Sequence, residues 1–422
     1  MNGKYGSNLR ILFFGHTFLE MSPSVRLLKA LEQKEQYYVE MLAKKSTCEK
    51  AKIIKPSFID RFITYRFIKY YFKFKFWNKY KKRKPLPWTF NLMVKNHLKN
   101  KIIKKYDIIH LDWIANGTVN LNKLKKIHKP VIWTLHDVWP LTGGCHCNLG
   151  CDKWISGCGK CPQLNSNNSK DISSKFWKQK ERAFNAIPDL TIITPSNWLE
   201  KMAKKSSFFK DRSIYKIPNC LNTELFKPKD KNISRRNFKI PINTYVIIFG
   251  AANPVKNLYK GFDLLLEILQ KLKNKSKENF HLVIFGTFQA EMKNYHFPFP
   301  YTCLNEIKSE SKLADAYNCA DIFTGPSRQD NFPSTFLEAG SCGLPCVGFE
   351  IGGIPEIIDH KKTGYIAKPF DTDDFTNGIL WILENEERYN EIKYNAREKI
   401  IKNYSQDIVM EKYIQVYNEK LN

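Results

Sequence analysis

Two kinds of segment alternate along the chain: short unbroken apolar runs, and longer stretches whose apolar positions recur every three or four residues. The first kind reads as buried parallel strand and the second as helix laid on a sheet. Residues 10–15 form the first apolar run, and Val25, Leu27, Leu28 and Leu31 give the following helix one apolar side. Further strands are predicted at 106–111, within 129–137, at 190–194 and at 214–217, with a helix starting after Asn116-Gly117. A polar, basic run at 227–239 breaks the alternation and reads as a linker. The pattern resumes with strands at 245–250 and 280–286, a helix carrying Leu264, Leu265, Ile268 and Leu269 on one side, and a helix at 313–319. Residues 371–422 read as an amphipathic helical tail. This is an α/β chain with two parallel sheets, divided as a first domain over 1–226, a linker over 227–240 and a second domain over 241–404.

The stretch 320–371 carries the densest chemistry. Ile322 and Phe323 read as a strand, Gly325-Pro326-Ser327 as a turn, and 335–341 as a helix ended by Gly343-Leu344-Pro345. A second strand at 346–349 leads to Gly352-Gly353-Ile354-Pro355. Such a βαβ unit binds ligands outside the carboxyl ends of its strands. Asp330 opens the helix and Glu338 lies about two turns along it, so both can flank one polar ligand. Gly352 and Gly353 can bring bare backbone N–H groups against a phosphate. Taken alone, two carboxylates near a helix start are unremarkable surface charges; the surrounding turns favour a site.

In the first half, Ser22 and Ser24 begin a helix, either as caps or as hydrogen-bond donors to a ligand. His136 and Asp137 tip the strand within 129–137, where an α/β domain presents chemistry. Cys145, Cys147, Cys151, Cys158 and Cys161 follow closely. Cys158-Gly159-Lys160-Cys161 has the C-x-x-C spacing of a zinc knuckle, which Cys145 and Cys151 would complete as a structural site; free thiols are the alternative.

The combination Asp330…Glu338, Cys342-Gly343-Leu344-Pro345 and Gly352-Gly353-Ile354-Pro355-Glu356 resembles the donor-binding core of family 4 retaining glycosyltransferases. The resemblance implies the GT-B fold: two Rossmann-like domains facing across a cleft, with residues 405–422 packing back on the first. It implies transfer of a sugar from a UDP- or GDP-linked donor with retention of configuration, and no metal for the chemistry. Lys260, with Lys256 as a second charge, would hold the diphosphate, because Ala251-Ala252 stand where relatives carry Arg. Glu338 would bind the ribose, Asp330 would face the sugar where most relatives have Glu, and the Gly352-Gly353 backbone would complete the phosphate cradle. Trp133-Thr134-Leu135-His136-Asp137, followed by Trp139-Pro140 and Thr142-Gly143-Gly144-Cys145, resembles a branch acting in exopolysaccharide, O-antigen or capsule assembly. There His136 would touch the transferred sugar. Asn219 matches the segment that closes the first domain in relatives, whereas Cys220 replaces their usual Gly. A nucleotide-sugar 2-epimerase shares the architecture and stays open as a rival. A dehydrogenase is disfavoured, since no G-x-G-x-x-G follows the first strand.

Composition adds a question of location. Lys and Arg number 68 against 41 Asp and Glu, a formal charge of +27, which favours anionic partners, although an overall Lys-rich bias gives the same sum. From Arg61 to Lys84 the chain interleaves basic and aromatic residues without one acid. That suits an anionic membrane surface; a structural surface or single-stranded nucleic acid are its other readings. With a glycosyltransferase core the membrane is preferred and nucleic acid is not expected. The acceptor is then a lipid-linked or polysaccharide glycan. No secretory signal or spanning run is visible, and eleven cysteines without one suit a reducing compartment. The expected location is cytoplasmic, peripheral at the inner face of the membrane.

Overall fold

The computed structural model describes residues 9–49, 51–53, 74, 78–90 and 98–421. The chain divides into two compact units, Met1–Ile217 with Lys412–Asn422, and Pro218–Glu411. Most of the segment from Arg61 to Lys84 lies outside the described residues. Among the described residues no helix is long and apolar enough to cross a membrane.

In the first unit β1 (Leu9–Phe18), β2 (Tyr37–Ser46), β3 (Ala51–Ile53), β4 (Ile108–Leu111), β5 (Val131–Thr134), β6 (Leu190–Thr194) and β7 (Ser213–Lys216) form one sheet. Its order is β3-β2-β1-β4-β5-β6-β7, and every pairing is parallel. β4, β5 and β6 are buried at every position, which is why they read as continuous apolar runs; β7, at the edge, is half exposed. Trp133 of β5 anchors the core beneath, its ring meeting Phe184 edge-on at 4.9 Å.

The second unit repeats the plan with β8 (Tyr245–Gly250), β9 (Phe280–Phe285), β10 (Tyr301–Cys303), β11 (Ile322–Gly325), β12 (Cys346–Phe349) and β13 (Gly364–Ala367). The order is β10-β9-β8-β11-β12-β13, again all parallel. In each sheet the order reverses beside the first strand of the unit, between β1 and β4 and between β8 and β11. Such switch points open a crevice at the strands' carboxyl ends.

The helices that matter below are α1 (Pro23–Glu32), α2 (Ile172–Asn185), α3 (Phe262–Lys275), α4 (Ser334–Ser341) and α5 (Gln406–Glu419). The end of α5 belongs to the first unit. There the Tyr417 hydroxyl meets His110 Nδ1 at 2.8 Å, the Tyr215 hydroxyl donates to Glu419 at 2.6 Å, and Lys420 pairs with Asp189 at 3.3 Å.

Several sequence readings shift. β1 continues three residues past Gly15, because Thr17 and Phe18 keep pairing with Lys45 and Ser46 of β2. The helix expected after Asn116-Gly117 is a 3-10 turn, Leu121–Lys126; Lys123, Lys125 and Lys126 leave it too few apolar positions for a longer amphipathic helix. Within the expected linker, Lys231–Asn237 is helical, capped by Asp230, and its Arg235 reaches Asp321 at 2.6 Å. The chain divides after Ile217, so 218–226 goes with the second unit, tied there by Leu221 N–H to Tyr404 O at 2.9 Å.

Candidate active site

In the second unit, β8 ends on Gly250 and the chain turns through Leu258–Lys260 into α3. Gly261 joins turn to helix at φ 71°, and a Cβ there would strike the Pro326 carbonyl oxygen. Only glycine takes that conformation cheaply and lets the two loops lie so close. Arg328 fastens them again: its N–H donates to Tyr259 O at 2.7 Å and its guanidinium grips both oxygens of Asp263 at 2.6 Å. That hydrogen-bonded fork holds the Asp263 carboxyl below the usual range.

The locked loops bring Lys260 Nζ to 2.7 Å from Asp330 Oδ2. Gly352, at φ 55°, packs so tightly that a Cβ would collide with Asp330 O, and Gly353 N–H donates to that same oxygen at 3.2 Å. Lys260, Asp330, Gly352 and Gly353 are therefore one cluster. In the expected phosphate cradle Gly353 N–H is thus already taken by Asp330, because the turn needs that bond to place its carboxylate. Glu338 sits inside α4, 4% exposed, and accepts a hydrogen bond from the Tyr317 hydroxyl at 2.8 Å. Lys256 is elsewhere: it pairs with Glu291 at 2.7 Å and is 71% exposed. The Glu291 carboxylate that pairs with it is itself bonded by Thr287.

In the first unit, His136 lies two residues past β5 and Asp112 one past β4. His136 Nε2 and Asp112 Oδ1 are 2.5 Å apart, and the Ser24 hydroxyl, in the first turn of α1, donates to Asp112 Oδ2 at 2.5 Å. Ser24 is thus a partner of the carboxylate, while Ser22 holds the N-cap position without a side-chain capping bond. Burial alone would push His136 down, but the Asp112 charge and hydrogen bond beside it outweigh burial and raise it. Asp112 moves oppositely: burial would raise its carboxyl, and His136 with Ser24 brings it below its ordinary value. The neighbouring His110 is pushed by burial to about 3 and stays neutral.

A second pair lies alongside. Asp137 accepts from Trp139 N–H at 2.7 Å and Trp113 Nε1–H at 2.9 Å, and meets His146 Nδ1 at 2.7 Å. His146 also meets the Thr89 hydroxyl at 3.0 Å and lies near-parallel to the Trp139 ring at 6.4 Å. The sequence reading passed over Asp112, His146 and Tyr317. Asp112 had a legible signal, a carboxylate at a strand's carboxyl end; His146 and Tyr317 had none, since tertiary packing sets their partners, between helices in the case of Tyr317 and Glu338.

Cys145, Cys151, Cys158 and Cys161 line one cavity, and all are free thiols. Burial pushes Cys158 up to about 12. Among the described residues no three His, Cys, Asp or Glu side chains are gathered as a metal-holding group, so the zinc expected here is not borne out by the placement of these sulfurs. Fully buried Lys180, on α2, is bonded to Trp139 O and, at 2.9 Å, to Thr142 O; burial lowers it to about 7.

Two parallel α/β units, each with its polar cluster at a switch point, define the GT-B class of fold. Solved structures agree: Anabaena HepE in complex with UDP-glucose aligns over 98% of this chain and 100% of that one, with a TM-score of 0.63 at 13% identity. The profile described as "Glycosyl transferases group 1" matches residues 230–399, and "Glycosyltransferase Family 4" matches 25–225. The chain belongs to the group 1, family 4 glycosyltransferases. It is 25% identical over 276 residues to the putative colanic acid biosynthesis glycosyl transferase WcaC of Escherichia coli, covering 62% of this chain and 63% of that protein. It is 28% identical over 221 residues to N-acetyl-alpha-D-glucosaminyl L-malate synthase of Bacillus anthracis, covering 50% and 55%. The matched stretch thus spans somewhat over half the length of these relatives.

Proposed function

We propose that this protein transfers a sugar from a UDP- or GDP-linked donor to a lipid-linked or polysaccharide acceptor, with retention of configuration. The observation that carries the reading is the Lys260–Asp330 pair, held against the Gly352 turn in the second unit. A donor needs a cation at its diphosphate, where charge develops on the leaving group, and a carboxylate at its sugar hydroxyls. Lys260 supplies the first and Asp330 the second. Glu338, fixed by Tyr317, accepts from the ribose hydroxyls. In the first unit His136, kept cationic by Asp112, donates to the transferred sugar. Lys256 is left out of the phosphate clamp.

The likeness to WcaC supports surface polysaccharide as the product class, and the UDP-glucose complex of the HepE structure supports a nucleotide-sugar donor. Both relatives reported above are named as a transferase or a synthase, so the epimerase reading gains nothing from them. The basic-aromatic segment from Arg61 to Lys84 supports placement at the inner, anionic face of a membrane; flotation with anionic vesicles before and after its deletion tests that. The main test is a thermal-shift screen of UDP, GDP, ADP and their sugars on the wild type and Glu338→Ala. One nucleotide should stabilise the wild type and not the variant. If no nucleotide shifts the wild type, the reading fails.

A further inference from the structure

The positive charge of this chain is not spread along it. Of the 68 Lys and Arg and the 41 Asp and Glu, the first unit holds 44 and 16 and the second 24 and 25. The segment from Arg61 to Lys84 supplies ten of those 44, so 34 remain against 16 without it. A compositional bias toward Lys would load both units alike. The excess therefore belongs to the first unit and favours an anionic partner there.

Part of it lies on one side of the first sheet. β4, β5 and β6 are neighbours in sheet order, and right-handed crossovers put both of their connections on the same side. Leu121 and Leu124, from the turn Leu121–Lys126 between β4 and β5, share a core cluster with Trp177 and Phe184 of α2. Turn and helix pack on each other, and what faces away from that core is basic. Lys123, Lys125 and Lys126 of the turn are exposed, as are Lys175, Lys178 and Arg182, which form one stripe of α2 at helical spacing. The one acid of α2, Glu181, is half-buried and accepts from the Ser207 hydroxyl at 3.4 Å. Among the described residues none of the six cations forms an ion pair. The second unit treats its lysines differently: Lys271 and Lys275 of α3 both meet Asp373, at 2.6 Å and 3.2 Å.

We propose that this side of the first unit, built on α2 and the turn Leu121–Lys126, is a docking face for an anionic phospholipid bilayer, separate from the segment Arg61–Lys84. It rests on the membrane placement proposed above and adds the folded surface that makes the contact. Unpaired like charges gathered on one face repel each other, and a layer of anionic headgroups relieves that repulsion. Five of the six are Lys, a compact and strongly hydrated point charge that suits a diffuse field of lipid phosphates. Readers of nucleic acid favour Arg forks and exposed stacking aromatics, whereas Phe176 and Trp177 of α2 are buried. Contact is thus at headgroup level, without insertion, and weakens as salt rises. A layer on the side of a sheet flanks the crevice at the strands' carboxyl ends without covering it. A docked first unit therefore keeps Asp112 and His136 open to an acceptor held by the same bilayer.

The test is flotation of the full chain with phosphatidylcholine vesicles, with and without phosphatidylglycerol, at low salt. Wild type should float with the anionic vesicles only. Lys125→Gln, Lys126→Gln and Lys178→Gln together should weaken that partition by about 10²-fold, at roughly fivefold for each charge lost near the surface. The same change on exposed lysines of the second unit, Lys277→Gln, Lys293→Gln and Lys312→Gln, should leave it close to wild type. Wild-type circular dichroism in both sets keeps folding out of the comparison. Flotation that survives in the first set and falls only when Arg61–Lys84 is deleted overturns the face and leaves the membrane placement standing. Wild type that floats with neither vesicle overturns both. Equal loss in the two sets shows net charge at work with no particular face, and overturns the proposal. So does wild type that leaves the vesicles for an equal charge of single-stranded polynucleotide.

Discussion

Lys260 and Asp330, seventy residues apart in the chain, hold one another at 2.7 Å across two loops that Gly261 and Gly352 let pack. Their opposite charges keep both side chains aimed at the same small volume before any donor arrives. Under the proposed function, an entering diphosphate would compete for the ammonium and release the carboxylate toward the sugar. Binding and alignment are then one event.

Lys260→Ala should therefore lower kcat/KM by about 10²-fold, the usual cost of one charge-stabilising contact at a leaving group. Lys260→Arg should recover part of that loss. Initial rates with the donor identified by the thermal screen provide the check, and an unchanged rate in the alanine variant would remove Lys260 from the mechanism.

His136 and Asp112 make stability depend on pH in a way whose sign follows from their shifts. His136 is raised, so its contribution is complete below its ordinary value of 6.5 and fades as pH climbs through the raised value. Asp112 is lowered, so its contribution is complete above 3.8 and fades as pH falls through the lowered value. Asp112→Asn should cost about 3 kcal/mol between those limits, with the gap to wild type narrowing as pH rises. Melting curves from pH 4 to 9 measure it, and a gap constant across that range would show that the pair does not titrate as argued.

Gly352→Ala puts a methyl group where Asp330 O stands and forces a left-handed alanine. We expect about 1–3 kcal/mol of destabilisation together with weaker donor binding, because the same oxygen fixes Asp330. Gly150→Ala, at φ 79° with open space around its Cβ position, separates the effects: it should cost stability and leave donor binding intact. Calorimetry on both variants gives the comparison.

Tyr317→Phe removes the hydroxyl that bonds Glu338 and nothing else of comparable size. Donor affinity should fall several-fold, in line with about 1 kcal/mol for one hydrogen bond, while the fold is retained. Titration calorimetry with the preferred nucleotide reads this directly; an affinity equal to wild type would mean that α4 alone orients Glu338.

Much of the fold is legible in the sequence alone. The continuous apolar runs of β5, β6, β8 and β9 mark buried parallel strands because both their faces are covered. The failures share one cause, which is dependence on contacts far along the chain. Lys256 looks available in sequence, yet Glu291, in the short helix Gln289–Met292, holds it at 2.7 Å. The polar run at 227–239 looks like linker, yet Arg235 finds Asp321 and the run winds into a helix. His146 carries no local signal, because its meaning comes from Asp137 and Thr89. Local pattern reports burial and turns; the pairing of polar groups across loops is written only in the packed structure.

The return of α5 to the first unit has a consequence for how the chain is made. His110, at the centre of the first sheet, finds its Tyr417 partner only in the closing residues of the sequence. A ribosome that has finished all seven strands of that sheet has still not delivered the hydroxyl that caps the imidazole, and it must first synthesise the whole second unit. A nascent chain stalled before residue 412 would carry the strands of both sheets while His110 Nδ1 still lacked the Tyr417 hydroxyl.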